Sequence, residues 1–258
     1  MSQILELRRS QLVSYFQSAK CGNGECYCKT DCSQNGAIYG PRDPEFGGRY
    51  GDKLQVAVLS LDPGELYGPQ TVQRTMPLPS IKLHKNKHWY RTLEIVHSIV
   101  KDHPNDPTIK KDVLDAIHFF CHLNSARCSQ NKVGNEKANN LLFEKCRPFV
   151  IEELKILKPD ILITQGDEAE IIASNFTAIH SEVLLGTPRT NLVVRAIGGK
   201  HVRHVHFYHP RHFGGFNRQR RALIVDNKIW EAVRKPIALQ DGTLILRVLG
   251  SGSCDLDT

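Results

Sequence analysis

Short apolar segments that each end in a polar or glycine-containing turn constrain the fold of this 258-residue chain more than any other feature. They read "LQVAVLSLD", "AIHFFCHLN", "DILITQG" and "HVRHVHFYHP". Helical patterns lie between them, such as "KHWYRTLEIVHSIVKD" and a helix predicted over about residues 148–158, with Pro148 in its first turn. This alternation predicts an α/β fold: a three-layer α/β/α sandwich with a central, mainly parallel sheet.

The remaining segments predict one domain over residues 1–258. Residues 1–50 hold an amphipathic helix at 5–16, the cysteine-rich stretch "CGNGECYCKTDC" and a Gly- and Pro-rich segment that is typical of a loop. Residues 51–235 form the α/β core, whose last long helix is "RQRRALIVDNKIWEAVRK", and residues 236–258 form a C-terminal extension.

Charge and composition narrow the class of partner and the compartment. The net charge is +7 and is spread along the chain, which suits a polyanionic partner such as DNA. The first residues lack the pattern of a signal peptide and no apolar run reaches membrane-spanning length, so we expect a cytoplasmic protein. We also expect a monomer. In that compartment the 8 cysteines are expected to be thiols or metal ligands, and Cys121, inside an apolar strand, to pack in the core.

Polar side chains and one glycine follow the predicted strands: Asp62, Asn124, Gly166 and His209. Each residue alone has a common structural role, because Asp and Asn cap turns and helices and a histidine can satisfy a backbone carbonyl. The carboxyl ends of parallel strands meet at one edge of a sheet, where ligands bind. The set therefore predicts a cleft.

The motifs "SLDPG", "NSARC", "CRPFVIEELKILKPDILITQGDEA" and "YHP", in this order, resemble the uracil-DNA glycosylase superfamily over about residues 26–221. The branch with a four-cysteine iron–sulfur cluster is the most similar, since Asn124, Cys128, Cys146, Gly166 and Ala169 match its pattern in order. The resemblance implies a monofunctional DNA glycosylase that takes a base out of the stack and hydrolyses its N-glycosidic bond.

The resemblance also implies roles for individual residues. Asp62 would stabilise the positive charge that develops on the sugar and orient water, and His209 would donate a hydrogen bond to the pyrimidine O2. Asn124, whose amide both donates and accepts, would read the polar edge of the base.

The first motif departs from the branch in two ways. Leu61 stands where the branch carries a catalytic Glu, so Asp62 would have to act instead. Gly64 replaces a Tyr that excludes C5 substituents in strict uracil enzymes, so the pocket is expected to accept uracil or a C5-modified pyrimidine, including mispaired thymine or a hypermodified phage cytosine. Repair and phage defence both fit, and so does a DNA-binding protein on this fold that has lost catalysis.

The C-terminal motif "HPRHFGGFNRQRR" supplies the candidate DNA contacts. Arg211 stands where the family usually has Ser, and either Phe213 or Phe216 is expected to fill the gap left by the flipped base or to pack the last helix. The candidate phosphate contacts are Arg211, Arg218 and Arg220. The aromatic that stacks on the base is left open among Trp89, Tyr90 and Phe119.

The resemblance implies that Cys128 and Cys146 are one pair of ligands to a 4Fe-4S cluster, with zinc as the alternative metal. The other pair, normally CxxC, has no match here. Among four candidates, spacing favours Cys28 and Cys32 over Cys21 and Cys26.

The histidine-rich run predicts a strand face of its own. Alternation places His204, His206 and Tyr208 on one side of the strand. This face is expected to be solvated or to face DNA rather than to bind zinc.

Overall fold

A computed structural model of the protein describes most of the chain outside the long connections. The described residues are 3–19, 21–22, 25–26, 41–52, 54–61, 76, 88–100, 113–128, 140–184, 191–221, 228–238 and 244–245. Among them, no helix combines the length and the apolar character that a membrane crossing requires.

The strands form one large sheet and two small hairpins. In chain order they are β1 Cys21–Gly22, β2 Glu25–Cys26, β3 Glu45–Phe46, β4 Val56–Ser60, β5 Phe120–Asn124, β6 Ile161–Gln165, β7 Ala178–Val183, β8 Asn191–Ile197, β9 Lys200–Phe207, β10 Ile237–Ala238 and β11 Leu244–Ile245. The 7-stranded sheet has the order β3-β5-β4-β6-β9-β8-β7. Its centre, β5-β4-β6-β9, is parallel, and the outer pairings are antiparallel. The predicted mainly parallel centre is confirmed.

Helices cover both faces of the sheet. They are α1 Gln3–Ala19, α2 His88–Val100, α3 Asn140–Leu157, α4 Asp167–Ala173, α5 Phe213–Arg220 and α6 Lys228–Arg234, with a 3₁₀ helix at Val113–Phe119. Alternating strand residues separate two apolar clusters: Val56 and Val58 pack with α2, and Ala57 and Leu59 pack with α1 and α3. The three-layer sandwich follows from this alternation.

Some elements differ from the prediction. The strand predicted over "AIHFFCHLN" begins as the 3₁₀ helix and becomes β5 only at Phe120. The last predicted helix corresponds to α5 and α6, and residues 222–227 between them lie outside the described part. The prediction also missed β3, β7 and β8.

The start of α3 was predicted incorrectly. The helix begins at Asn140, so Pro148 lies inside it rather than in its first turn. A proline ring removes one helical N–H donor and crowds the preceding turn. The residues before it, Leu142, Phe143 and Cys146, are buried, and their burial offsets this cost.

Candidate active site

The ends of the parallel strands meet at one edge of the sheet. Ser60 of β4 is in register with Asn124 of β5, and Gln165 of β6 with Phe207 of β9. Ser125 donates from its amide and its hydroxyl to the Ser60 carbonyl, at 2.8 and 2.7 Å. The turn after Asn124 is therefore fixed to the end of β4.

Gly166 lies where the ends of three of these strands come close to one another. It has φ 92°, a conformation that favours glycine. A Cβ atom at this position would lie 3.0 Å from Leu61 Cδ2 and 3.4 Å from His209 Cβ. The structure thus places Leu61 and His209 close to Gly166, with Asn124 on the strand next to β4. Of the four residues predicted to converge, Asp62 lies outside the described part.

Asn124 lies at this edge with a buried amide. The residue is 8% exposed, and its Oδ1 has no hydrogen-bond partner among the residues that the structure describes. A buried acceptor without a donor costs about 1–3 kcal/mol, so such atoms in native folds call for an explanation. A donor on a bound ligand would satisfy this oxygen.

A buried network of hydrogen bonds connects the ends of the central strands. Gln165 Oε1 accepts hydrogen bonds from the hydroxyls of Ser60 and Thr92, each at 3.0 Å. The single Ser60 hydroxyl proton is used in this bond, so His122 Nε2–H donates to Ser60 Oγ at 3.1 Å. Burial lowers the pKa of His122 to about 3, which keeps its ring neutral. The network joins β4, β5, β6 and α2.

The ring of His209 is oriented by its neighbours. Its Nδ1 accepts the backbone N–H of Arg211 at 3.3 Å, so in the neutral ring the proton is on Nε2, which becomes a donor. His209 stacks on His88, with ring centroids 4.7 Å apart. Burial, with further contributions from His209, His122 and nearby arginines, lowers the pKa of His88 to about 3. His88 was missed by sequence reasoning, and its only signal is its position at the start of α2.

The candidate DNA contacts of α5 differ in their surroundings. Arg211 and Arg218 are exposed. Arg220 instead forms a two-point ion pair with Glu94 of α2, at 2.9 Å from Nε and 2.5 Å from Nη2, and a phosphate contact would have to compete with this pair. Phe216 is fully buried beside Phe207, so it packs the helix and does not fill the gap of a flipped base.

The candidates for the stacking aromatic also separate. Phe119 is 2% exposed in the core and has the Arg49 guanidinium over its ring, so it is excluded. Trp89 contacts His122 edge-on, with centroids 4.9 Å apart, and Tyr90 is half-buried. The side chain of Phe213 lies outside the described part.

Two of the predicted metal ligands lie together. Cys128 and Cys146 are buried, and Cys146 Sγ accepts the Arg127 backbone N–H at 3.3 Å. A hydrogen bond from the Cys128 thiol lowers the pKa of Cys146 to about 7 against the opposing effect of burial, with Arg127 adding to the lowering. Thiolates are the metal-binding form of cysteine, so this pair can supply two ligands. Cys121 is fully buried in the core, as predicted.

The N-terminal cysteines are described only in part. Cys21 and Cys26 face each other in the β1–β2 hairpin as backbone partners. Phe16, at the end of α1 and near Cys21 in sequence, has the Arg127 guanidinium 4.6 Å above its ring. Arg127 directly precedes Cys128 in the chain. Cys28 and Cys32 lie outside the described residues, and so do Asp62 and Gly64.

The expectation of a solvated histidine face is wrong. His204 and His206 do share a face, but they are 2% and 3% exposed, and both rings bond to Thr164 Oγ1. The strand lies between β6 and β8, so both of its edges are paired, and helices cover both faces of the sheet.

Buried neutral histidines predict sensitivity to acid. The pKa values of His88 and His122 are about 3 in the folded chain, and that of His204 is lowered by burial, whereas an unfolded histidine titrates near 6.5. Between these values the unfolded chain binds more protons. The free energy of unfolding should therefore fall as the pH falls below about 6.5, by up to about 1.4 kcal/mol per pH unit for each histidine.

Urea unfolding at a series of pH values measures this slope. His122→Gln should reduce it, whereas His201→Gln, on the exposed start of β9, should not. Equal slopes in the wild type and His122→Gln would contradict the assignment.

Comparison with known proteins adds no family to this description. The likeness to the glycosylase superfamily therefore rests on the sequence motifs alone. No protein-family model matches the chain, and no curated protein matches it significantly.

Proposed function

We propose that the protein is a monofunctional DNA glycosylase that flips an aberrant pyrimidine out of DNA and hydrolyses its N-glycosidic bond, leaving an abasic site. The observation that carries this proposal is the buried Asn124 Oδ1 without a partner among the described residues, at the same edge of the sheet where Leu61 and His209 lie close to Gly166. A pyrimidine supplies the N–H donor that this oxygen lacks, and a carbonyl that His209 can bind.

In the proposed reaction, water attacks C1′ of the sugar as the bond to the base nitrogen breaks, and the bonding electrons leave with the base. The donor Nε2–H of His209 faces the negative charge that develops on the pyrimidine O2. Asp62, which directly follows Leu61 in sequence, stabilises the positive charge on the sugar and accepts the proton of the water. No covalent bond to the enzyme forms.

The base removed is proposed to be uracil or a C5-modified pyrimidine. Leu61 lies next to Gly166, so an apolar side chain occupies the place of the acidic residue in the first motif. Gly64 leaves no side chain to exclude a group at C5. This combination favours a pocket that reads the polar edge of the base through Asn124 and is permissive at C5.

The proposed cofactor is a structural 4Fe-4S cluster, with zinc as the alternative. Two of the four donors are described: Cys128 and Cys146 are buried and hydrogen-bonded to each other, which supports a role as one pair of ligands. The other two ligands would come from the N-terminal segment, with Cys28 and Cys32 favoured. Such a cluster would join that segment to the turn after Asn124, and hydrolysis of the glycosidic bond needs no electron transfer.

The test is base release from end-labelled oligonucleotides by anaerobically purified protein, followed by alkaline cleavage at abasic sites. The oligonucleotides contain uracil, thymine opposite guanine, or 5-hydroxymethylcytosine with and without an attached sugar. We expect cleavage of at least one strand. Asn124→Ala should lower the rate of release of the preferred base more than it lowers release of the other bases. Stable DNA binding without any abasic product would contradict the proposal and favour a DNA-binding protein without catalysis.

A further inference from the structure

Asp167, Glu170 and His206 form a second cluster of polar side chains on the side of the sheet covered by α4. One ligand atom of each residue lies within 4.8 Å of the others. Asp167 and Glu170 are three positions apart on α4, so they share a helix face. His206 comes from the neighbouring end of β9, and its side chain is 4% exposed.

The distance between His206 and Glu170 is longer than a usual hydrogen bond and is close to that between two ligands of one metal ion. His206 Nε2 lies 3.5 Å from Glu170 Oε2. N–H···O hydrogen bonds are usually about 2.7–3.2 Å, whereas two ligands of one tetrahedral zinc ion, each about 2.0–2.1 Å from the metal, are about 3.3–3.4 Å apart. The Glu170 side chain is 40% exposed and can adjust to a bound ion, and the rigid histidine fixes the position of the site.

The other nitrogen of His206 is held as in metal sites. Arg195 Nε donates to His204 Nδ1 at 3.0 Å, so the neutral His204 donates from Nε2 to Thr164 Oγ1 at 2.8 Å. His206 Nδ1 lies 3.0 Å from the same oxygen, and in the tautomer with the proton on Nδ1, which is the one that binds a metal through Nε2, it donates to the second lone pair of Thr164 Oγ1. In that tautomer the lone pair of His206 Nε2 is directed at the carboxylates, and a hydrogen bond from the opposite ring nitrogen is the usual support of a metal-binding histidine.

From this geometry we propose a binding site for one divalent transition-metal ion, held by Asp167, Glu170 and His206. One imidazole with two carboxylates suits Zn²⁺, Fe²⁺ or Mn²⁺ rather than the sulfur-preferring ions. Asp167 is exposed, so the remaining coordination positions face solvent. The site is separate from the cysteines and does not depend on the proposed glycosylase activity. The positive charge of Arg195, which interacts with Glu170, lowers the affinity of this site for a metal ion.

The test uses Mn²⁺, which thiolates bind poorly, so the cysteines do not interfere. The full chain is titrated with Mn²⁺, and the loss of the electron paramagnetic resonance signal of the free ion is measured. The wild type should bind one equivalent. Asp167→Asn and Glu170→Gln should each weaken binding by about tenfold or more, since even loss of an outer partner costs 10–100-fold.

The control is Glu168→Gln, the same change of charge on the same helix outside the cluster, which should bind as the wild type does. Because Asp167 is exposed and Glu170 partly so, these variants are expected to fold. Thermal unfolding adds a second readout, since Mn²⁺ should raise the Tm of the wild type more than that of Glu170→Gln. Absence of a bound equivalent in the wild type, or the same affinity in Asp167→Asn and Glu170→Gln, would overturn the proposal.

Discussion

His209→Phe should lower the rate of base release by roughly 100–1000-fold, the usual cost of removing one donor to a developing negative charge. Phenylalanine keeps an aromatic ring that can stack on His88. It lacks the Nε2–H donor, which His209 has because its Nδ1 accepts the backbone N–H of Arg211. DNA affinity should change little, because the charge on the base develops only in the transition state. Single-turnover kinetics with excess enzyme, together with binding to the same oligonucleotide, measure both quantities.

Two further variants make this result specific. His209→Gln keeps an N–H donor and should recover part of the lost rate. His201→Phe makes the same replacement on the exposed start of β9 and should leave the rate unchanged. An unaltered rate in His209→Phe would remove this residue from the mechanism.

Asp62→Ala should lower the rate of base release by a similar factor, because stabilisation of the sugar cation would then be missing.

The centre of the fold, and with it the edge where the strand ends gather, could be predicted because both depend on local signals. Each apolar strand is followed by its own polar turn, and the parallel order brings those turns to one edge. Leu61, Gly166 and His209 meet there, and Asn124 lies on the next strand. Gly166 shows why a residue type can be read in this way, since its positive φ disfavours any side chain and Leu61 lies within 3.0 Å of the place that a Cβ atom would take.

The parts that were missed depend on partners distant in sequence. The short strand β3 lies in a Gly- and Pro-rich segment, and only its pairing with β5 makes it a strand. The hydroxyls of Ser60 and Thr92 reach Gln165 across 105 and 73 residues, so no local pattern signals this network.

The histidine run shows a second limit of sequence reasoning. Alternation gave the correct faces for His204 and His206, but the basic neighbours and the family resemblance suggested a solvated or DNA-facing surface. Their strand is in the interior of the sheet, and Thr164 on the neighbouring strand provides a hydrogen-bonding partner for both rings. Burial of such polar residues depends on partners that the local sequence does not contain.

Arg127→Met should lower the free energy of unfolding by roughly 3–5 kcal/mol, which is typical when one partner of a buried ion pair is removed. The Arg127 side chain is 1% exposed, and its guanidinium lies 2.5 Å from Asp43 Oδ1 and 3.0 Å from Glu153 Oε1. Methionine keeps much of the apolar stem but leaves two carboxyl groups buried without a cation. Urea unfolding at neutral pH measures the loss.

Arg49→Met is the matched control, because Arg49 pairs with Asp52 on the surface and its side chain is 45% exposed. Its loss should be below about 1 kcal/mol. Adding Asp43→Asn to Arg127→Met should restore part of the stability, since the buried carboxylate that lies nearest to Arg127 is then replaced by a neutral amide. If Arg127→Met were no less stable than Arg49→Met, the buried ion pairs would not have the role assigned here.

The loss in Arg127→Met should also depend on pH in a defined direction. Burial raises the pKa of Glu153 to about 8 even beside Arg127, compared with 4.5 when unperturbed. Between these values the folded chain binds more protons at this site than the unfolded chain, so stability falls as the pH rises. Arg127 opposes the rise in the pKa of Glu153. In Arg127→Met this pKa therefore rises further, and the free energy of unfolding should continue to fall up to a higher pH.

Arg127 lies between Asn124 and Cys128 in the chain, so the same substitution should weaken both base recognition and the cysteine pair.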